Sequence, residues 1–120
     1  MQTAAQAYGT VARQTASPRE LEADLLLKAA AQLQAIREDW DNKKAKLDEA
    51  LLYNRKLWSI FLTSVTTPEN PLPPEIRQNV ANLGVFVMGQ TMQMMTAPRP
   101  EQLDPLININ RQLAAGLRGR

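Results

Sequence analysis

The sequence contains no cysteine and no histidine. Without cysteine there is no disulfide, no thiol nucleophile and no thiolate metal site. Without histidine as well, a zinc or copper centre lacks its usual ligands, and Ser-His or Cys-His catalysis has no base. Long apolar runs are missing too: the longest stretch of glycine and apolar residues, Leu83 to Gly89, falls far short of the ~20 residues that span a bilayer. The opening residues, MQTAAQAYGTVARQ, show no basic start followed by an apolar run, so no secretory signal is expected. The expectation is a cytoplasmic protein that does not insert into a membrane. There is no P-loop and no GxGxxG. The acids fall at capping and surface positions, not in the apolar settings that raise a pKa for catalysis. No enzyme, cofactor, metal or small-molecule ligand is therefore expected.

Charge of one sign is also scarce. The formal net charge of +2 is too small to mark a nucleic-acid surface. The most charged stretch, Glu38 to Glu49, interleaves Asp41, Asp48 and Glu49 with Lys43, Lys44 and Lys46. Acids among the lysines repel phosphate, and no aromatic is spaced to stack on bases, so this stretch reads as a solvated face.

Of the six aromatic residues, three lie in one stretch, Leu51 to Leu62, with sequence LLYNRKLWSIFL. On a helix, Leu47, Leu51, Asn54, Trp58, Phe61 and Val65 form one stripe at alternating gaps of four and three. Tyr53, Leu57 and Ile60 run beside it, leaving a narrow polar edge of Arg55, Lys56, Ser59 and Thr63. A helix apolar over that much of its surface is expected to be wrapped by neighbours. Asn54 stands out as an amide on the apolar stripe. It predicts either a hydrogen bond to a loop or helix end, since an unpaired buried amide costs about 1–3 kcal/mol, or a contact with a partner.

Around this stretch the pattern predicts an all-α fold, a small bundle of four to five helices with proline-set connections, in one domain over residues 1–120. A weak, alanine-rich helix is expected from about Thr3 to Thr15. Ser17, Pro18 and Glu20 then give an N-cap, a first-position proline and a capping box. From there Leu26, Ala29, Leu33, Ile36 and Trp40 make a stripe flanked by Leu21 and Leu25, and Ala29 to Ala31 would let another helix approach closely. Periodicity leaves open whether this helix joins the next, since the stripe passes from Trp40 to Leu47 in register; length favours a bend near Asp39 to Asn42, because one helix from Pro18 to Thr66 would exceed ordinary lengths. Pro68, Pro71, Pro73 and Pro74 end the central helix. The next helix runs from Pro74 to about Thr96, with Ile76, Val80, Leu83, Val87 and Met94 on one stripe. Gly84 and Gly89 inside it suggest close backbone approach or a bend. After Pro98-Arg99-Pro100, Asp104 and Pro105 read as the N-cap and first position of a last helix that ends near Ala115.

Four of the five methionines cluster at the end of the Pro74 helix. Methionine fills cores as readily as it forms adaptable binding faces, and the pattern leaves both open. Met88, Met92 and Met95 recur at gaps of four and three, on a face apart from the core stripe. The candidate partner-binding set is Met88, Met92 and Met95 with Leu106, Asn110 and Leu113 of the last helix. With its short apolar side, that last helix is expected to dock weakly over the methionine face and to yield to a client helix. Truncation at Ala97 is accordingly expected to leave a folded protein.

The chain also carries recognisable words in order: Ala7-Tyr8-Gly9, Ser17-Pro18-Arg19, Leu51-Leu52-Tyr53-Asn54-Arg55-Lys56-Leu57-Trp58, Asn70-Pro71-Leu72-Pro73, Asn79-Val80-Ala81-Asn82-Leu83-Gly84 and Ile109-Asn110-Arg111-Gln112-Leu113-Ala114-Ala115-Gly116-Leu117. Over essentially the full length this succession resembles the flagellar biosynthesis regulator FlaF family of alphaproteobacteria. The resemblance implies a role in flagellin supply: a dedicated flagellin chaperone for the flagellar type III secretion route, with flagellin as client and the FlbT regulator as a second partner working in opposition. It supplies no catalytic residue. The alternative it leaves is a regulator of flagellin synthesis that acts on the message directly or through FlbT.

Overall fold

The computed structural model describes residues 18–119. The expected helix from Thr3 to Thr15 and the Ser17 cap lie outside the described residues. Within them the chain forms helices α1 (Pro18–Glu38), α2 (Trp40–Lys43), α3 (Leu47–Val65), α4 (Pro74–Thr96) and α5 (Leu103–Leu117). Single 3-10 turns, Lys44–Lys46 and Pro100–Gln102, precede α3 and α5. No strand occurs among the described residues.

Each break has a local cause. Asp39 leaves the helical region at φ −135° and ψ 54°. Its carbonyl accepts from the backbone N–H groups of Asn42 and Lys43, and its carboxylate accepts from Asn42 Nδ2 at 2.9 Å. This is the bend expected near Asp39 to Asn42. At the end of α3 the hydroxyls of Thr66 and Thr67 donate back to Leu62 and Thr63, satisfying terminal carbonyls as the prolines take over. Asn70 then braces the linker, donating to Ser64 Oγ at 3.0 Å and accepting from the Leu72 backbone N–H. Pro74 is the first residue of α4, where its missing N–H costs nothing. The last helix departs from expectation at its start. The 3-10 turn runs straight into α5 with Gln102 already helical, so Asp104 sits in the first turn and is not the cap. There it accepts from Arg37 Nε at 3.0 Å.

The core is assembled along α3. Leu47, Leu51, Asn54, Trp58, Phe61 and Val65 are all buried, as the stripe predicts, together with Ala50 and Leu57. Trp58 and Phe61 meet edge-to-face, their ring centroids 5.9 Å apart. The expectation of a helix wrapped nearly all round is not met, because Leu52 is 48% exposed and Ile60 66%. The reason is the thinness of the molecule, 24 Å in its short dimension, about two helix diameters. In two layers every helix keeps a solvent side. The same geometry leaves Leu21 and Leu25 exposed on α1, and Ile76 of the expected α4 core stripe 44% exposed.

α4 packs antiparallel beside α3, with Gly84 opposite Leu62 and Thr91 and Met95 opposite Leu51, Leu52 and Arg55. A Cβ at Gly84 would come within 2.4 Å of Leu62 Cδ2, so this glycine permits the approach of the two helices. Gly89 has open space around it. α5 takes α1 as its principal neighbour. It runs antiparallel, with Arg37 paired to Asp104 at one end and Asp24 to Arg118 at the other. Ala23, Ala29 and Ala30 are buried on α1, where small side chains allow close helix packing.

Candidate partner-binding surface

The fate of Asn54 decides where a partner can bind. Trp58 Nε1 donates to Asn110 Oδ1 at 2.9 Å, and Asn110 Nδ2 donates to Asn54 Oδ1 at 2.7 Å. All three side chains are fully buried. Asn54 therefore bonds neither a loop nor a partner. It is one end of a polar chain that ties α3 to α5, and its own Nδ2 has no partner.

Three expected site residues are relocated by this packing. Asn110 and Leu106 lie in the core, wholly shielded from solvent. Leu113 is half-buried and lines a small cavity of about 20 Å³ with Phe61, Val65, Leu72 and Val80. Met95 belongs to the opposite end of α3, in a cleft with Leu51, Leu52, Arg55 and Thr91. From Leu51 to Val65 a helix rises roughly 20 Å, so Leu113 and Met95 cannot share one contact patch. Nor does α5 cover Met92 and Met95, which are exposed while α5 takes α1 as its principal neighbour. The expectation of a weakly held last helix is corrected at the same time: Leu103, Leu106, Ile107, Ala114 and Leu117 are all buried. The misplacement arose because apolar spacing on α5 is the same whichever helix it packs against.

The methionines themselves stay together. Met94 is the core member, 1% exposed, whereas Met92 and Met95 are 69% and 59% exposed and Met88 is half-buried. Val85, Met88, Met92 and Met95 follow one another at gaps of three, four and three, so they line one stripe of α4. Leu52 of α3 meets that stripe at Met95. Val85 and Leu52 were not singled out from sequence. Val85 continues the Met88 stripe one turn back and was legible, but Leu52 joins it only through the pairing of α3 with α4.

Electrostatics adds one perturbed carboxylate. Glu22 lines the Leu113 cavity, and its pKa is raised by burial, against an opposing pull from the Arg19 charge. Among the described residues no group of three or more His, Cys, Asp or Glu side chains is placed to hold a metal ion. Among them also, no helix is long and apolar enough to cross a membrane.

The fold and surface define a small all-α protein whose distinctive exposed feature is a methionine-lined helix face. The chain belongs to the FlaF family, flagellar protein FlaF, whose model matches residues 4–117. No curated protein and no solved structure matches it.

Proposed function

We propose that this chain is a flagellin-binding protein that supports flagellin production and export through the flagellar type III secretion route, working without catalysis. The observation that carries this is the stripe formed by exposed Met92 and Met95 with half-buried Met88 in a member of a flagellar family. Long, polarizable, unbranched side chains re-pack against different apolar partners, and an amphipathic client helix can lie along such a face. Leu52 and Val85 widen the face. Acting on flagellin message, directly or through FlbT, is the competing role.

Copurification separates the two. The tagged protein, coexpressed with flagellin, is expected to retain flagellin and no RNA. Met92→Asp with Met95→Asp is expected to weaken retention while moving the melting temperature by no more than about 2–4 °C, since both side chains are exposed. Normal flagellin binding by the double variant would place the site elsewhere, and retention of RNA in place of flagellin would favour the message-directed role.

A further inference from the structure

A second concavity lies on the other side of Leu52. α1, α2 and α3 border an open groove of about 540 Å³. Its floor is apolar, with Ala35 and Ile36 from α1 and Tyr53 from α3, and Leu52 stands at its edge. Its borders are basic. Lys43, Lys46 and Lys56 line it against a single acid, Glu49. Lys28 adds a fourth ammonium, with Nζ 5.5 Å from the centroid of the Tyr53 ring. Among the described residues none of these lysines forms an ion pair; the pairs Arg37–Asp104 and Arg118–Asp24 lie elsewhere. Three lysines to one acid leave the lining net basic around apolar surface.

We propose that this groove docks an acidic amphipathic helix of a protein partner, with apolar side chains on the floor and carboxylates against Lys43, Lys46 and Lys56. The charge selects the partner's sign, since opposite potentials favour docking and like charges oppose it. The shape selects a helix. From Lys46 to Lys56 the groove extends about 15 Å, the rise of roughly ten helical residues. A bilayer fits poorly, because the apolar residues form the floor of a concavity and not a projecting face. Single-stranded nucleic acid fits poorly as well: Lys28 already occupies a face of the Tyr53 ring, and Glu49 faces into the site. The inference goes beyond the flagellin reading, because the groove differs in charge from the methionine face and does not require it.

The test uses the full chain and a labelled synthetic peptide of about 14 residues, roughly 20 Å of helix, with leucines at helical spacing and glutamates on the flanks. Fluorescence anisotropy is expected to show binding that weakens with salt, and about tenfold or greater preference over the same peptide with lysine for every glutamate. Lys43→Glu, Lys46→Glu and Lys56→Glu together should weaken binding by about tenfold or more, whereas Lys44→Glu, outside the lining, should not. Should the triple variant melt below the parent, the single Lys56→Glu variant carries the comparison at an exposed side chain. Equal affinity for the two peptides, or unchanged affinity in the lysine variants, overturns the proposal. So does capture of anionic phosphatidylglycerol vesicles or single-stranded RNA in preference to the acidic peptide. Peptide binding that survives Met92→Asp with Met95→Asp supports a groove separate from the client face, whatever becomes of flagellin binding.

Discussion

A single amide, Asn110, sets the relation of α5 to α3. Its Oδ1 accepts from Trp58 and its Nδ2 donates to Asn54, so losing it strands two buried groups. Asn54 contributes one bond and carries an Nδ2 already without a partner. Asn110→Leu is therefore expected to destabilise more than Asn54→Leu, by about 1–3 kcal/mol for the additional unpaired group. Urea denaturation of both variants checks the order, and equal losses would show that the chain of bonds contributes little. Glu22 gives a pH dependence of known sign. Burial raises its pKa in the folded state, so the folded protein binds a proton more readily than the unfolded chain. Its penalty is absent below the unfolded value, about 4.3, and grows as pH rises through the folded value. Glu22→Gln is expected to melt above the parent at neutral pH, with the difference vanishing below about pH 4. A difference that persists in acid would mean that packing, not ionisation, causes it.

The helices differ in how tightly their backbones are held, and two glycines in α4 report it. Gly84 faces Leu62 so closely that an added Cβ cannot fit without moving that side chain. Gly84→Ala is expected to destabilise by about 1–3 kcal/mol, less whatever helix propensity returns. Gly89 faces open space within the same helix. Gly89→Ala should stabilise by up to about 1 kcal/mol, because alanine loses less backbone entropy on folding. Calorimetric melts of the two variants should move in opposite directions, and Leu62→Ala combined with Gly84→Ala should recover part of the first loss. Shifts of the same sign would contradict the α3–α4 packing. The prolines act at the same scale, fixing where α3 stops and α4 begins without touching the core.

At the scale of the whole molecule, α5 is part of the fold and not a removable cover. Its own Leu103, Leu106 and Ile107 are buried in the core, each contributing about 1.5–3 kcal/mol. Removing them would also uncover Leu26 and Leu33 of α1 and orphan the Trp58 N–H. A domain's net stability is only about 5–15 kcal/mol. Truncation at Ala97 is therefore expected to give a chain without a cooperative melt, contrary to what the short apolar side of α5 suggests from sequence. A truncated chain that still melts sharply would place α5 outside the folding unit. With α5 fixed in the core, the surfaces proposed for partners are the methionine stripe of α4 and the basic groove bordered by α1, α2 and α3.

The sequence by itself determined the helical class, the break at the prolines and the buried stripe from Leu47 to Val65, whereas the break at Asp39 needed the structure, because the apolar period runs through it in register. Helical period, caps and proline stereochemistry are local, and local rules suffice for them. Of the three methionines that period sets apart from the core stripe of α4, Met92 and Met95 are exposed, whereas Met88 packs partly against the core. Periodicity places a side chain at an angle on its own helix but does not say which neighbour arrives there. Leu57 and Ile60 share one stripe of α3, and only the two-layer packing leaves Ile60 exposed and Leu57 buried. The bond from Asn110 to Asn54 spans 56 residues of chain, and no short-range pattern encodes it. The tertiary structure alone decided that the last helix docks on α1, which moved Leu106 and Asn110 from candidate contacts into the core and left Leu113 far from Met95.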